Sequence, residues 1–181
     1  MGSMLGRFAR AAMGLVALLC LSACGGLYLG AADLGETTAV VRPITPGTYK
    51  TKSGEPAQIM LDADGTYRVT GMADEEMPVR IYGPVGGLYV AQIDGIKEDS
   101  QGLYGYAILR VSKDGVDLAE DNATAMGEML FKRLGIPLPA EGSAVGMLTD
   151  NARLNWALLQ EFIVTHRDQL VFETIYTADG Q

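Results

Sequence analysis

Apolar and polar residues alternate in short runs through the middle of the chain. Ile59 and Leu61 share one face, Tyr67 and Val69 share the next, and Asp64-Gly65 stands between them. Asp-Gly between two alternating runs signals a hairpin, because glycine tolerates the positive φ that a tight turn requires. Val79 and Ile81 mark a third strand, Gly86-Gly87 a turn, and Leu88–Ile93 a fourth strand closed by Asp94-Gly95. Residues 103–112, LYGYAILRVS, give the strongest strand signal. Tyr104, Tyr106 and Ile108 point one way there, and Leu103, Ala107, Leu109 and Val111 the other. With both faces apolar, this strand is expected to be central and covered on both sides. Asp114-Gly115 then turns into Val116–Ala119. The pattern predicts an antiparallel meander of about six or seven strands, curved or barrel-like.

The carboxyl-terminal third changes period. Residues 122–134 predict a helix capped by Asn122 and stopped at Gly135, with Ala123, Met126, Leu130 and Leu134 on one face. A second helix is predicted from an Asp150 cap to about His166. Its Leu154, Trp156, Leu158, Leu159, Phe162 and Ile163 make an apolar surface too wide to stay wet, so it should pack on the sheet. Leu170–Thr177 adds a final strand. The class is α+β, with one or two helices packed on the sheet.

The first 46 residues follow neither period. Arg7 and Arg10 precede an apolar stretch over residues 11–21 that ends in small residues, the three-part pattern of an export signal. That stretch is shorter than the roughly 20 residues a membrane-spanning helix needs. Leu21-Ser22-Ala23-Cys24 follows it and resembles the lipobox of bacterial lipoproteins. The resemblance covers the first 24 residues and implies cleavage by signal peptidase II before Cys24, with lipid attached to that cysteine. Gly25 in place of Asp resembles the outer-membrane default of such proteins. Residues 25–46 carry Gly and Ala at the start and Pro43 and Pro46 at the end, which predicts a flexible tether with a reach of roughly 25 Å. The expected organisation is a signal over 1–23, a lipidated cysteine and tether over 24–46, and one α+β domain over 47–181.

Composition narrows function more by exclusion than by pointing. With 48% hydrophobic and 20% charged residues, most of the chain should fold. Removing residues 1–23 takes away Arg7 and Arg10 and moves the net charge from −8 to −10, unsuited to nucleic acid. Both cysteines, Cys20 and Cys24, lie in the first 24 residues, so the exported domain has neither disulfide nor catalytic thiol. His166 is the one histidine, and Ser53, Ser100, Ser112 and Ser143 sit in no nucleophile-elbow context, which disfavours a hydrolase. Asp62-Ala63-Asp64-Gly65 resembles part of a calcium loop but lacks the third acidic ligand and the distant Glu, so turn chemistry explains it. No metal or cofactor is expected.

Tyr82, Tyr89, Tyr104 and Tyr106 are the candidate ligand or partner face, since tyrosine joins apolar area to a polar end. Filling the core or its rim is the simpler account of them. These features imply a non-catalytic envelope protein, anchored to the membrane by its amino-terminal lipid and facing the periplasm. It would bind or support another envelope protein or component. The alternative is a lipocalin-like carrier of a small apolar ligand.

Overall fold

The computed structural model describes residues 27–70, 76–94, 104–120, 123–135 and 146–179. Strands β1 (Leu27–Gly30) and β2 (Val40–Val41) precede a run of hairpins. The run comprises β3 (Gly47–Thr51), β4 (Pro56–Leu61), β5 (Tyr67–Thr70), β6 (Met77–Val85), β7 (Leu88–Ile93), β8 (Tyr104–Val111) and β9 (Gly115–Ala119). Each member from β3 to β9 pairs antiparallel with the next, as the alternation predicts. The strand count is higher than the sequence predicts, because β1, β2 and a further short strand, β10 (Gly146–Met147), join the expected meander and final strand. Strand β11 (Phe172–Ala178) inserts between β3 and β9 and completes an eight-stranded barrel. At that seam a Cβ on Gly115 would stand 2.1 Å from the Tyr176 carbonyl oxygen, so only glycine lets the two strands meet.

The interior of the barrel is packed with side chains. Alternate residues turn inward, among them Tyr49, Ala57, Ile59, Tyr67, Ile81, Leu109, Val116, Leu118 and Tyr176. Ile59, Tyr67 and Ile81 expose at most 1% of their surface, so no water-sized space opens beside them. Tyr49 and Tyr176 meet edge to face at 6.5 Å. The Tyr67 hydroxyl donates to the Ile44 carbonyl (2.9 Å) and accepts from its amide (3.1 Å), fixing the segment that leads into β3.

A second core lies outside the barrel. The outward side chains of β6, β7 and β8, including Tyr82, Leu88, Val90, Tyr106 and Ile108, are covered by α1 (Ala123–Leu134) and α2 (Ala152–His166). Met126 comes from α1, and Leu158, Leu159, Phe162 and Ile163 from α2, all buried. Thus β8 is covered on both faces and α2 is an integral part of the sheet's cover, as their apolar patterns predict. The cap of α2 is Asn151, whose side chain accepts from the Leu154 amide at 3.0 Å, not Asp150. Asp150 stands one residue too early to reach the first free amides. His166 ends α2 with its ring stacked on Phe162 and its Nδ1 3.2 Å from the Phe162 carbonyl oxygen, the helix-end role its position suggests.

The expected tether is corrected. Residues 27–46 are docked on the barrel: β1 pairs antiparallel with β8, β2 with β6, and Ala32, Leu34 and Ile44 are buried. The two-residue strand β10 (Gly146–Met147) extends the sheet from the other edge of β1. The segment changes from strand to 3-10 turn (Leu34–Glu36) to strand within about fifteen residues. It therefore has no sustained period, although the edges of β6 and β8 supply its partners. The folded unit begins by Leu27, not at residue 47. Leu21, Ser22, Ala23 and Cys24 lie outside the described residues, as does the predicted cap Asn122.

Candidate functional site

The four tyrosines do not share one open face. Tyr82 and Tyr106 are fully buried in the outer core, and Tyr104 packs on the same core partly exposed. Tyr89 faces the other way and packs against the barrel interior. The hydroxyl of Tyr106 donates to the Ala32 carbonyl, tying the amino-terminal segment to β8. The hydroxyl of Tyr82 is buried with no hydrogen-bond partner among the described residues, and the ring stands edge-on to half-buried Trp156 at 6.4 Å. Burial pushes both phenols well above the usual tyrosine range. As a ligand or partner face the group is therefore not assembled, and core packing accounts for it.

Beside Tyr82 lies a polar cluster that no local motif marks. Arg80, on the outward face of β6, places Nη2 2.9 Å from Asp33 Oδ2 and 3.0 Å from both oxygens of Asp94. Gln92, fully buried on β7, donates to Asp33 and Asp94 at 3.2 Å each and accepts from the Leu34 amide at 2.8 Å. Asp33 also accepts from the Gly35 amide at 2.8 Å. A Cβ on Gly35 would lie 3.1 Å from Arg80 Nη1 and from Asp33 Oδ1, and 3.5 Å from the Tyr82 hydroxyl, so the turn approaches the cluster as closely as glycine allows.

The electrostatics make this cluster a clamp. Burial raises the Asp33 pKa, but hydrogen bonds from Arg80, the Gly35 amide and Gln92, with the Arg80 charge, outweigh it and hold the carboxyl below its ordinary range. Burial works against the Arg80 charge, and its bonds to Asp94 and Asp33 overcome that and hold the guanidinium firmly protonated. An Asp kept ionised against a fixed cation is a poor proton donor. What the arrangement does is hold residues 33–35 against β6 and β7 by charge-assisted hydrogen bonds.

Next to the clamp, Glu36, Thr37, Asp150, Asn151, Ala152 and Arg153 line an open polar depression of about 520 Å³ at the start of α2. Its shallow, mixed-charge lining lacks the apolar walls of a small-molecule pocket. No group of three or more His, Cys, Asp or Glu residues able to hold a metal occurs among the described residues. The partial calcium loop is a hairpin turn: the Gly65 amide donates to the Asp62 carbonyl (3.0 Å), Asp64 accepts from the Thr66 amide (2.9 Å), and Asp62 pairs with Arg68. No protein-family model, curated protein or solved structure matches the chain.

Proposed function

We propose that the mature chain is a non-catalytic envelope protein, anchored by lipid at Cys24 in the outer membrane and facing the periplasm. Its domain binds or supports another envelope component through its outer surface. The observation that carries this reading is the packed barrel, in which Tyr49, Ile59, Tyr67, Ile81 and Tyr176 occupy the space a cargo would need. Recognition then falls to the outside. The leader arginines and Leu21-Ser22-Ala23-Cys24 support the anchor.

The test uses the full-length chain expressed in a Gram-negative host. Intact-mass analysis of the membrane fraction should find acyl additions on a chain beginning at Cys24, and Cys24→Ala should abolish them. A photo-crosslinking residue placed at exposed positions such as Met60 or Val164 should yield a discrete adduct with an envelope component. An unmodified mature chain beginning elsewhere overturns the reading.

An eight-stranded barrel is also compatible with a lipocalin-like carrier of a small apolar ligand. That function requires interior tyrosines to swing aside. An apolar molecule bound one to one in native mass spectrometry, and lost when Tyr67 is replaced by Trp, would favour the carrier over the first reading.

A further inference from the structure

The lateral edge of β8 opposite β7 is shared by two strands. Along it Leu109, Arg110 and Val111 pair with β9, while Tyr104 to Ala107 pair with β1. The register sets Leu27 opposite Ala107 and Leu118 opposite Leu109, so the lane into which β1 would extend is already held by β9. The two strands part at Ala119 and Glu120. Across β9, Phe172 pairs with Ala119, and the Val171 carbonyl accepts the Glu120 amide at 2.8 Å. Val171 is a large apolar residue left 58% exposed there. It stands within about two strand spacings, roughly 10 Å, of the point where β1 begins.

Leu27 is three residues beyond Cys24. Three peptide steps span at most about 11 Å. A lipidated Cys24 sits at headgroup level, so the start of β1 can lie no farther than that from the headgroups. We propose that the surface at this fork, where Glu120 and Val171 are exposed beside the start of β1, is the face that rests on the bilayer, with Val171 seated at the interface. The proposal rests on the lipid anchor at Cys24 and deepens that reading by fixing orientation. The tether expected over residues 25–46 would have let the domain turn freely; with β1 docked, only residues 25 and 26 separate Cys24 from the sheet. Electrostatics give the chain as a whole no pull toward anionic lipid, because the mature chain carries a net charge of −10 (−8 less Arg7 and Arg10), which leaves the anchor to set the orientation. Met60, facing outward on β4, stands four strands round the ring from β8 and two from β11, toward the opposite end of the barrel from Val171, and is turned away from the membrane.

The mature chain holds no cysteine besides Cys24, so a single added cysteine takes a label cleanly. The full-length chain carrying Val171→Cys or Met60→Cys, processed in a Gram-negative host, is labelled with bimane. It is then reconstituted into phosphatidylethanolamine–phosphatidylglycerol vesicles bearing a nitroxide on the headgroup. Quenching should be several-fold stronger at position 171 than at position 60. A Gly/Ser insertion of about ten residues between Gly26 and Leu27, adding a reach of up to about 35 Å, should equalise the two sites without releasing the protein from the vesicles. Equal quenching in the uninserted protein, with the acyl mass present and the protein floating with the vesicles, overturns the orientation and leaves the anchor standing. A chain that neither floats nor carries acyl mass overturns both.

Discussion

Two buried tyrosines, on β6 and β8 either side of β7, offer an internal contrast. Tyr82 and Tyr106 are both fully buried in the outer core, yet the Tyr106 hydroxyl bonds to the Ala32 carbonyl and the Tyr82 hydroxyl has no partner among the described residues. Replacing Tyr by Phe removes one oxygen and leaves the ring packed. At Tyr106 the change forfeits a net hydrogen bond of about 1 kcal/mol and strands a buried carbonyl, for a total of about 1–3 kcal/mol. At Tyr82 it removes an unsatisfied hydroxyl, so stability should stay level or rise by up to about 1 kcal/mol. In a chain of this size each kcal/mol moves the melting midpoint by about 2–4 °C, well within the resolution of calorimetry. Urea titration of the two variants should show shifted midpoints with equal slopes, since neither change alters the surface exposed on unfolding. Hydrogen exchange should separate them further, with the amides of residues 32–36 losing protection only in Tyr106→Phe. If Tyr82→Phe cost as much as Tyr106→Phe, the contrast between a bonded and an unbonded hydroxyl would fail, and unchanged protection of residues 32–36 in Tyr106→Phe would mean that its hydroxyl does not tie the segment to β8.

Other expectations follow from the same geometry. Because the Asp33 pKa is depressed in the folded state, its contribution is full above the unfolded value near 3.8 and is lost as pH falls through the lower folded value. Asp33→Asn should therefore flatten the acid limb of melting midpoint against pH, and an unchanged limb would remove Asp33 from the clamp's pH response. Gly115→Ala forces a methyl group against the Tyr176 carbonyl and should cost about 1–3 kcal/mol or more; an unaltered melting curve would mean β9 and β11 do not close the ring there. Phe162→Ala empties the centre of the outer core and should cost about 3–5 kcal/mol, read by urea unfolding. A chain starting at residue 47 should melt lower or aggregate relative to one starting at residue 27, since it lacks Leu34, Ile44 and the clamp; equal melting would restore the tether.

The strands were legible because a half-buried strand writes period two into the sequence and four of the connections add a turn dipeptide. A curved, barrel-like sheet was expected too, but not which strands close it, since the pairing of Tyr49–Thr51 with Tyr176–Ala178 leaves no local trace. The tyrosines mislead for a more particular reason. Val85 pairs with Leu88, and an unbroken ladder from there would set Tyr82 opposite Ala91, on the same face as Tyr89. A bulge between Tyr82 and Val85 sets Tyr82 opposite Val90 instead and turns it outward. The clamp draws on residues 33, 80, 92 and 94, too far apart for a motif. Gln92 within the apolar run Leu88–Ile93 was the one available signal, because a polar side chain in a strand covered on both faces must find partners.

The order in which the ring is assembled has a cost as the chain emerges where it folds. Emerging amino-terminus first, it delivers β3 early and β9 later, but the strand that joins them, β11, comes after both helices. Until it arrives, the nascent sheet has two raw edges whose backbone amides and carbonyls are templates for pairing with any other extended chain. Pairing across more than 120 residues is also intrinsically slow, because the loop must close before any contact rewards it. A chain cut short before Phe172 is thus not a slightly smaller version of the protein. It is an open sheet with adhesive margins, and aggregation or capture by holding chaperones is its expected fate.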